Sequence, residues 1–178
     1  MAWCLPESGI EFPILMQVRY AKTQEEIETA RILFREYAAW LQVDLCFQNF
    51  AEELASLPGL YAPPRGRLLI AYSDKEPAGC VALRPLKDSM CEMKRLFVRP
   101  AFRGRNLGRR LAEQVVADAR SIGYASMVLD TLPSMGPALR LYEGLGFVRR
   151  AAYYETPLKE TVFMELKLGT GRKPALVI

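Results

Sequence analysis

The chain has 178 residues, 51% of them apolar and 25% charged, with a formal net charge of +4. That length suits one domain large enough to bury its own core, and the composition argues against both a disordered and a membrane-spanning chain. Histidine is absent, which removes Ser-His-Asp and Cys-His catalysis and the commonest metal ligand together.

Residues Met1 to Leu15 carry no Lys or Arg to head a signal peptide, and Glu7 and Glu11 interrupt what apolar run there is. They read as an N-terminal extension (1–15) ahead of a single domain (16–168) and a flexible tail (169–178). The four cysteines, Cys4, Cys46, Cys80 and Cys91, form no C-x-x-C pair. Free thiols in a reducing, cytoplasmic compartment are the expectation.

The pattern becomes strand-like over Ile14 to Ala21. Thr23 with Glu26 then makes a capping box before a helix to about Leu41, on which Ile27, Ala30, Leu33 and Phe34 form one stripe. A connector, Gln42 to Phe47, leads to a shorter helix from Phe47 to Leu57 that Pro58-Gly59 ends. After a loop rich in proline and glycine, Leu68 to Tyr72 and Gly79 to Leu83 flank Asp74-Lys75-Glu76-Pro77 as a hairpin.

The next strand, Cys91 to Val98, breaks at Pro100, turns through Arg103 to Gly108 and enters a helix. Leu107, Leu111 and Val115 follow one another there at i,i+4, and Gly123 closes it. A strand over Ala125 to Leu132, a helix over Pro137 to Leu145, and a closing pair of strands, Phe147 to Tyr154 and Thr161 to Leu168, complete the domain. The order predicts a mixed α/β layer fold.

A strand, a tight loop and a helix start together make an anion site. Unpaired first-turn N–H groups and the positive end of the helix dipole face the loop. Gly104 and Gly108 let backbone approach a ligand, and Arg103, Arg105, Arg109 and Arg110 add charge. Seven basic residues, Lys94, Arg95, Arg99, Arg103, Arg105, Arg109 and Arg110, fall within 17 positions. So local a cluster suits one polyanionic ligand better than a nucleic-acid track. The spacing matches neither the triphosphate-binding loop nor the dinucleotide-binding glycine pattern.

The stretch resembles the GNAT N-acetyltransferase family, whose acetyl-CoA signature is Arg/Gln-x-x-Gly-x-Gly/Ala. Arg103, Leu107 and Gly108 fit it, and Asn106 stands where the family usually has glycine. Asparagine is the residue that best replaces glycine in left-handed backbone. A second stretch, Ala138-x-x-Leu141-Tyr142-x-x-x-Gly146-Phe147, looks like the family's A-x-x-L-Y-x-x-x-G-F, with Met135 in the place of a frequent asparagine. The resemblance spans about Met16 to Leu168. It implies the GNAT acyl-CoA N-acyltransferase fold, a central mixed, mostly antiparallel sheet with two splayed strands flanked by helices.

The resemblance also implies the chemistry, transfer of acetyl from acetyl-CoA directly to an amine. Backbone of Leu96, Phe97 and Val98 would hold the pantetheine and polarise the thioester. Amides from Arg103 through Gly104, Arg105, Asn106, Leu107 and Gly108 to Arg109 would hold the pyrophosphate. Tyr142, on the motif tyrosine, is the candidate acid for the leaving thiolate. Glu92 is the candidate base, although about 13 Å of strand separates it from Leu96, and an ion pair with Lys94 or Arg95 is the alternative. Acceptor contacts fall on the connector (Val43, Asp44, Phe47, Gln48) and on Tyr153 and Tyr154. The leading expectation is a small-molecule or amino-acid-like amine acceptor. A protein N-terminus, lysine or aminoacyl-tRNA acceptor, and a non-catalytic acyl-CoA sensor, stay open, as does a homodimer through exposed late strands.

Overall fold

The computed structural model describes residues 15–43, 45 and 48–169. The expected extension and tail therefore lie almost wholly outside the described residues, as do Asp44 and Phe47. The elements run β1 (Met16–Tyr20), α1 (Gln24–Leu41), α2 (Phe50–Ser56), β2 (Arg67–Ser73), β3 (Glu76–Pro85), β4 (Met90–Val98), α3 (Leu107–Ile122), β5 (Ser126–Thr131), α4 (Gly136–Gly144), β6 (Val148–Arg149) and β7 (Val162–Lys167). No helix among the described residues is long and apolar enough to cross a membrane.

The strands form one seven-stranded sheet in the order β1-β2-β3-β4-β5-β7-β6, antiparallel except for the parallel pair β4 and β5. Alternation along the strands feeds two cores. Leu69, Val81 and Met93 pack against Leu107, Leu111 and Val115 of α3 on one face. Ile70, Cys80, Ala82 and Phe97 pack against Ile27, Leu33 and Phe34 of α1 on the other. Helices on both faces explain why the inner strands read as nearly continuous apolar runs. The thiols of Cys80 and Cys91 are free, and burial pushes both up, Cys91 to about 12.

Local chemistry sets the boundaries. The capping box forms as expected, with Thr23 Oγ1 accepting from the Glu26 N–H and Glu26 accepting from the Thr23 N–H. The hairpin turn is tighter than read: Asp74 and Lys75 alone form it, both with positive φ (48° and 73°), and Pro77 already belongs to β3. Two left-handed residues give the turn whose twist matches that of the strands.

One expected strand is mostly not a strand. Of Phe147 to Tyr154 only Val148–Arg149 pair. Tyr153 and Tyr154 leave the ladder and stack edge-on against each other and Phe163, with centroids 5.1 to 5.2 Å apart. The aromatic residues that suggested a strand are satisfied by ring packing instead.

Two irregularities shape β4. Its parallel pairing with β5 ends at Glu92 and Val128, after which the strands part. Against β3, the register shifts between Cys80 and Ala82, which face Phe97 and Lys94, so β4 carries one extra residue. At this bulge Arg95 has φ +58°, a left-handed conformation that costs a non-glycine residue roughly 1–2 kcal/mol. Just past the bulge, across from Val98, lies Gly79, where an added Cβ would stand 2.4 Å from the Phe97 carbonyl oxygen and 3.2 Å from Val98 Cα. Gly79→Ala therefore has to push β3 from β4. It is expected to cost about 2 kcal/mol, measured by urea unfolding.

Candidate active site

On the α3 side of the wedge lies a cleft of about 640 Å³. Leu96, Phe97 and Val98 form its floor, and Asn106, Leu107 and Gly108 one end. Asn106 adopts φ 60°, ψ 11° at the N-cap of α3, the left-handed conformation glycine would take, and no side chain caps the first-turn amides. Those N–H groups face the cleft without a protein acceptor from a capping side chain. Gly104 has φ +77° and nothing within 4 Å of an ideal Cβ, while a Cβ at Gly108 would meet only Val98 and Leu141 methyl carbons at 3.7 and 3.9 Å. The loop is thus an open backbone cradle of the kind a pyrophosphate needs. An apolar floor continues it toward the sheet. The residues present fit acetyl-CoA.

The basic cluster does not act as one patch. Arg103 and Arg109 line the cleft. Arg103 donates from Nε to the Val98 carbonyl (3.0 Å) and stands over the Trp40 ring at 4.5 Å. Arg105, expected at the phosphate, is not among the lining residues; its guanidinium lies over Phe102, 5.6 Å from the ring centre. Arg110 points to the Met16 carbonyl, and Arg99 makes a two-pronged pair with Glu36 at 2.7 Å. The cleft gains instead Arg140 of α4 and Trp40 of α1, which the sequence reading missed. Trp40 lies outside both motif stretches and Arg140 stands at a position the second motif leaves open, so only the packing of α1 and α4 shows that they line the cleft.

Beyond Leu96 and Met135, which belong to both, the cleft meets a narrow chamber of about 40 Å³ on the α1 side. Tyr142, 6% exposed, faces this chamber together with Tyr37 and Asp130. Neither tyrosine hydroxyl makes a hydrogen bond among the described residues. Burial, with Tyr37 and Asp130 nearby, holds the Tyr142 hydroxyl above the ordinary phenol range. Burial pushes Tyr37 up to about 12. Both are therefore protonated donors at neutral pH.

A buried polar network closes the far wall. The bulge lets the consecutive cations Lys94 and Arg95 serve the same face, and both donate to Gln48 Oε1 at 3.1 Å. Lys94 Nζ also meets Asp130 Oδ1 at 3.1 Å and Glu92 Oε1 at 3.8 Å. Arg95 clamps Glu53 from Nε at 3.1 Å and Nη2 at 2.5 Å and lies over Phe50. Burial would raise the Asp130 carboxyl, but the Lys94 ammonium outweighs it and holds it below the usual range. Gln48 Nε2 reaches Asp130 Oδ2 at 3.5 Å and the Tyr154 hydroxyl at 3.3 Å. Of the connector residues expected to meet the acceptor, Gln48 is therefore in the network.

Glu92 sits in the same network but not on the chamber. It is fully buried, accepts from Arg84 Nε at 2.6 Å and from the Tyr153 hydroxyl at 2.7 Å, and its remaining neighbour is Lys94. The geometry favours the ion-pair alternative over a base in direct reach of an acceptor.

The model of the acetyltransferase (GNAT) family matches residues 28–147. A Schizosaccharomyces pombe protein named as an uncharacterized N-acetyltransferase is 39% identical over 159 residues, 88% of this chain and 98% of its own. An acetyltransferase structure from Streptococcus agalactiae superposes with a TM-score of 0.71 at 21% identity, covering 85% of this chain and 98% of that one. A Salmonella typhimurium structure holding acetyl-CoA gives 0.62 at 20% identity, covering 90% and 98%. The chain belongs to the GNAT acetyltransferase family. It is an acetyl-CoA-dependent N-acetyltransferase of that type.

Glu92→Gln removes the charge that Arg84 and Lys94 share. A loss of about 2 kcal/mol in urea unfolding at pH 7 is expected, with CoA affinity kept. A variant that holds its stability yet loses turnover would return Glu92 to the role of base.

Proposed function

We propose that the protein acetylates a primary amine of a small-molecule acceptor, with Tyr142 as the acid for the departing thiol. The observation that carries this reading is the meeting of cleft and chamber at Leu96 and Met135, with the unbonded Tyr142 hydroxyl on the chamber side. Acetyl-CoA, when bound, supplies an acetyl thioester.

The first-turn amides of α3, Gly104 and the guanidinium groups of Arg103, Arg109 and Arg140 hold the phosphate arm. Backbone of Leu96 to Val98, released from β5, orients the pantetheine and directs an N–H at the thioester oxygen. The acceptor nitrogen, having given one proton to solvent, bonds to the carbonyl carbon as the carbon–sulfur bond breaks. Tyr142 gives its proton to the sulfur and recovers one from the acylated nitrogen through water. The products are an acetamide and free CoA, with one proton released. Glu92 acts by holding Lys94 and Tyr153 in place.

The narrow chamber admits only the amine end of an acceptor. Next to it, sharing Gln48, is a second pocket of about 310 Å³ walled by Glu52, Glu53, Tyr61 and Arg84, a size that suits a small molecule. Asp44, Phe47 and Tyr154 are proposed to complete this acceptor side.

Thiol release from acetyl-CoA is expected with a panel of small primary amines and not with peptides or tRNA alone. Tyr142→Phe should lower kcat roughly 100-fold and leave the acetyl-CoA Kd within about twofold. Wild-type turnover in that variant would mean that water protonates the thiolate.

A further inference from the structure

The chamber carries charged groups of both signs, and they differ in how far they are already used. Lys94 has Asp130, Gln48 and Glu92 around its three N–H bonds and is 7% exposed. Arg95, 5% exposed, spends its guanidinium on Glu53 and Gln48. The chamber's two threonine hydroxyls are also committed, Thr131 to Met135 Sδ and Thr161 to the Leu158 carbonyl. Arg84, the next cation, faces the neighbouring pocket and is tied to Glu92.

Asp130 is different. Its Oδ1 receives Lys94, while Oδ2 is met by Gln48 Nε2 only at 3.5 Å, the edge of hydrogen-bond range, and the neighbouring Tyr154 hydroxyl is the other donor turned to this carboxylate. A carboxylate oxygen accepts more than one bond, so this one has capacity left. It faces the same chamber as the Tyr142 hydroxyl.

We propose that Asp130 receives the acceptor's ammonium group and thereby selects primary amines whose neighbouring carbon bears no carboxylate. This rests on the acetyl-transfer reading above and narrows its acceptor. An ammonium entering beside Tyr142 finds in Oδ2 a fixed anion that needs no rearrangement. A carboxylate one carbon away would stand against that anion in a site of low dielectric, and the cations lining the chamber, Lys94 and Arg95, are already committed. The uncharged tyrosine hydroxyls cannot replace one. The acceptors selected are alkylamines or amines whose carboxyl is blocked as an amide, while free α-amino acids are turned away. The Lys94 and Gln48 contacts keep Asp130 ionised and aimed. Asp130 is thus a binding and specificity residue, poised to share the first proton lost by the amine with solvent.

Two conjugates test this, with CoA sulfur joined through an acetyl carbon to the nitrogen of alaninamide or of alanine. The CoA half anchors both, so calorimetry on the wild-type chain reads the acceptor site without turnover. The alaninamide conjugate is expected to bind at least tenfold more tightly, and equal affinities or the reverse order would overturn the proposal. In Asp130→Asn, with CoA affinity unchanged as the check on folding, the preference should shrink to within about threefold. A preference that survives that change would overturn Asp130 as its source. If neither conjugate nor CoA binds, the cofactor reading itself fails, a result distinct from CoA binding without discrimination.

Discussion

Past Glu92 and Val128, β4 and β5 are no longer paired, and the wedge between them is what the two faces of the sheet share. On the α3 side the opening becomes a cleft headed by uncapped amides. On the α1 side it becomes a chamber walled by charge. The extra residue at the bulge keeps the wedge from closing by resetting the alternation of β4. Arg95 holds that residue left-handed against its intrinsic preference, and the double hydrogen bond to Glu53, buried and stacked over Phe50, offsets the cost. A helix of only seven residues, α2, thus reaches across to fix the backbone of the central strand.

How much of this could be read in the sequence depended on distance along the chain. The α3 stripe, the capping box at Thr23 and the left-handed Asn106 are all local, and each stands where the pattern put it. Tyr142 and Leu141 were marked by a short motif. Tyr37, Trp40 and Asp130 were not, because no spacing along the chain connects a residue on α1 with one on β5 or α4, and Arg140 stands at a position that motif leaves open. The basic run misled in the opposite direction. Seven neighbouring cations looked like one patch, but a strand, a bulge and a turn scatter their directions, so only Arg103 and Arg109 reach the cleft. Aromatic residues at Tyr153 and Tyr154 suggested a strand for the related reason that rings pack well in sheets and equally well on one another.

Glu92 shows how one residue can satisfy two readings of the sequence and be decided by its neighbours. A lone carboxylate in a central strand is a natural candidate for proton transfer. Register places it directly across from Arg84, and the loop that failed to become a strand brings Tyr153 onto its other oxygen. Both oxygens are taken before any acceptor arrives.

The two halves of the site differ in their contact with solvent, and so in how they answer to ions. Arg109 at the cleft is about two-fifths exposed and among the described residues is partnered only by Glu113 one turn on, so added electrolyte would weaken the pull on a phosphate arm proposed for it. The side chains of Lys94 and Arg95 are 7% and 2% exposed, beyond the reach of mobile counter-ions. On the roles proposed above, cofactor capture would be tuned by ionic strength, whereas discrimination between acceptors would rest on buried groups and stay the same in dilute buffer and in a concentrated cell.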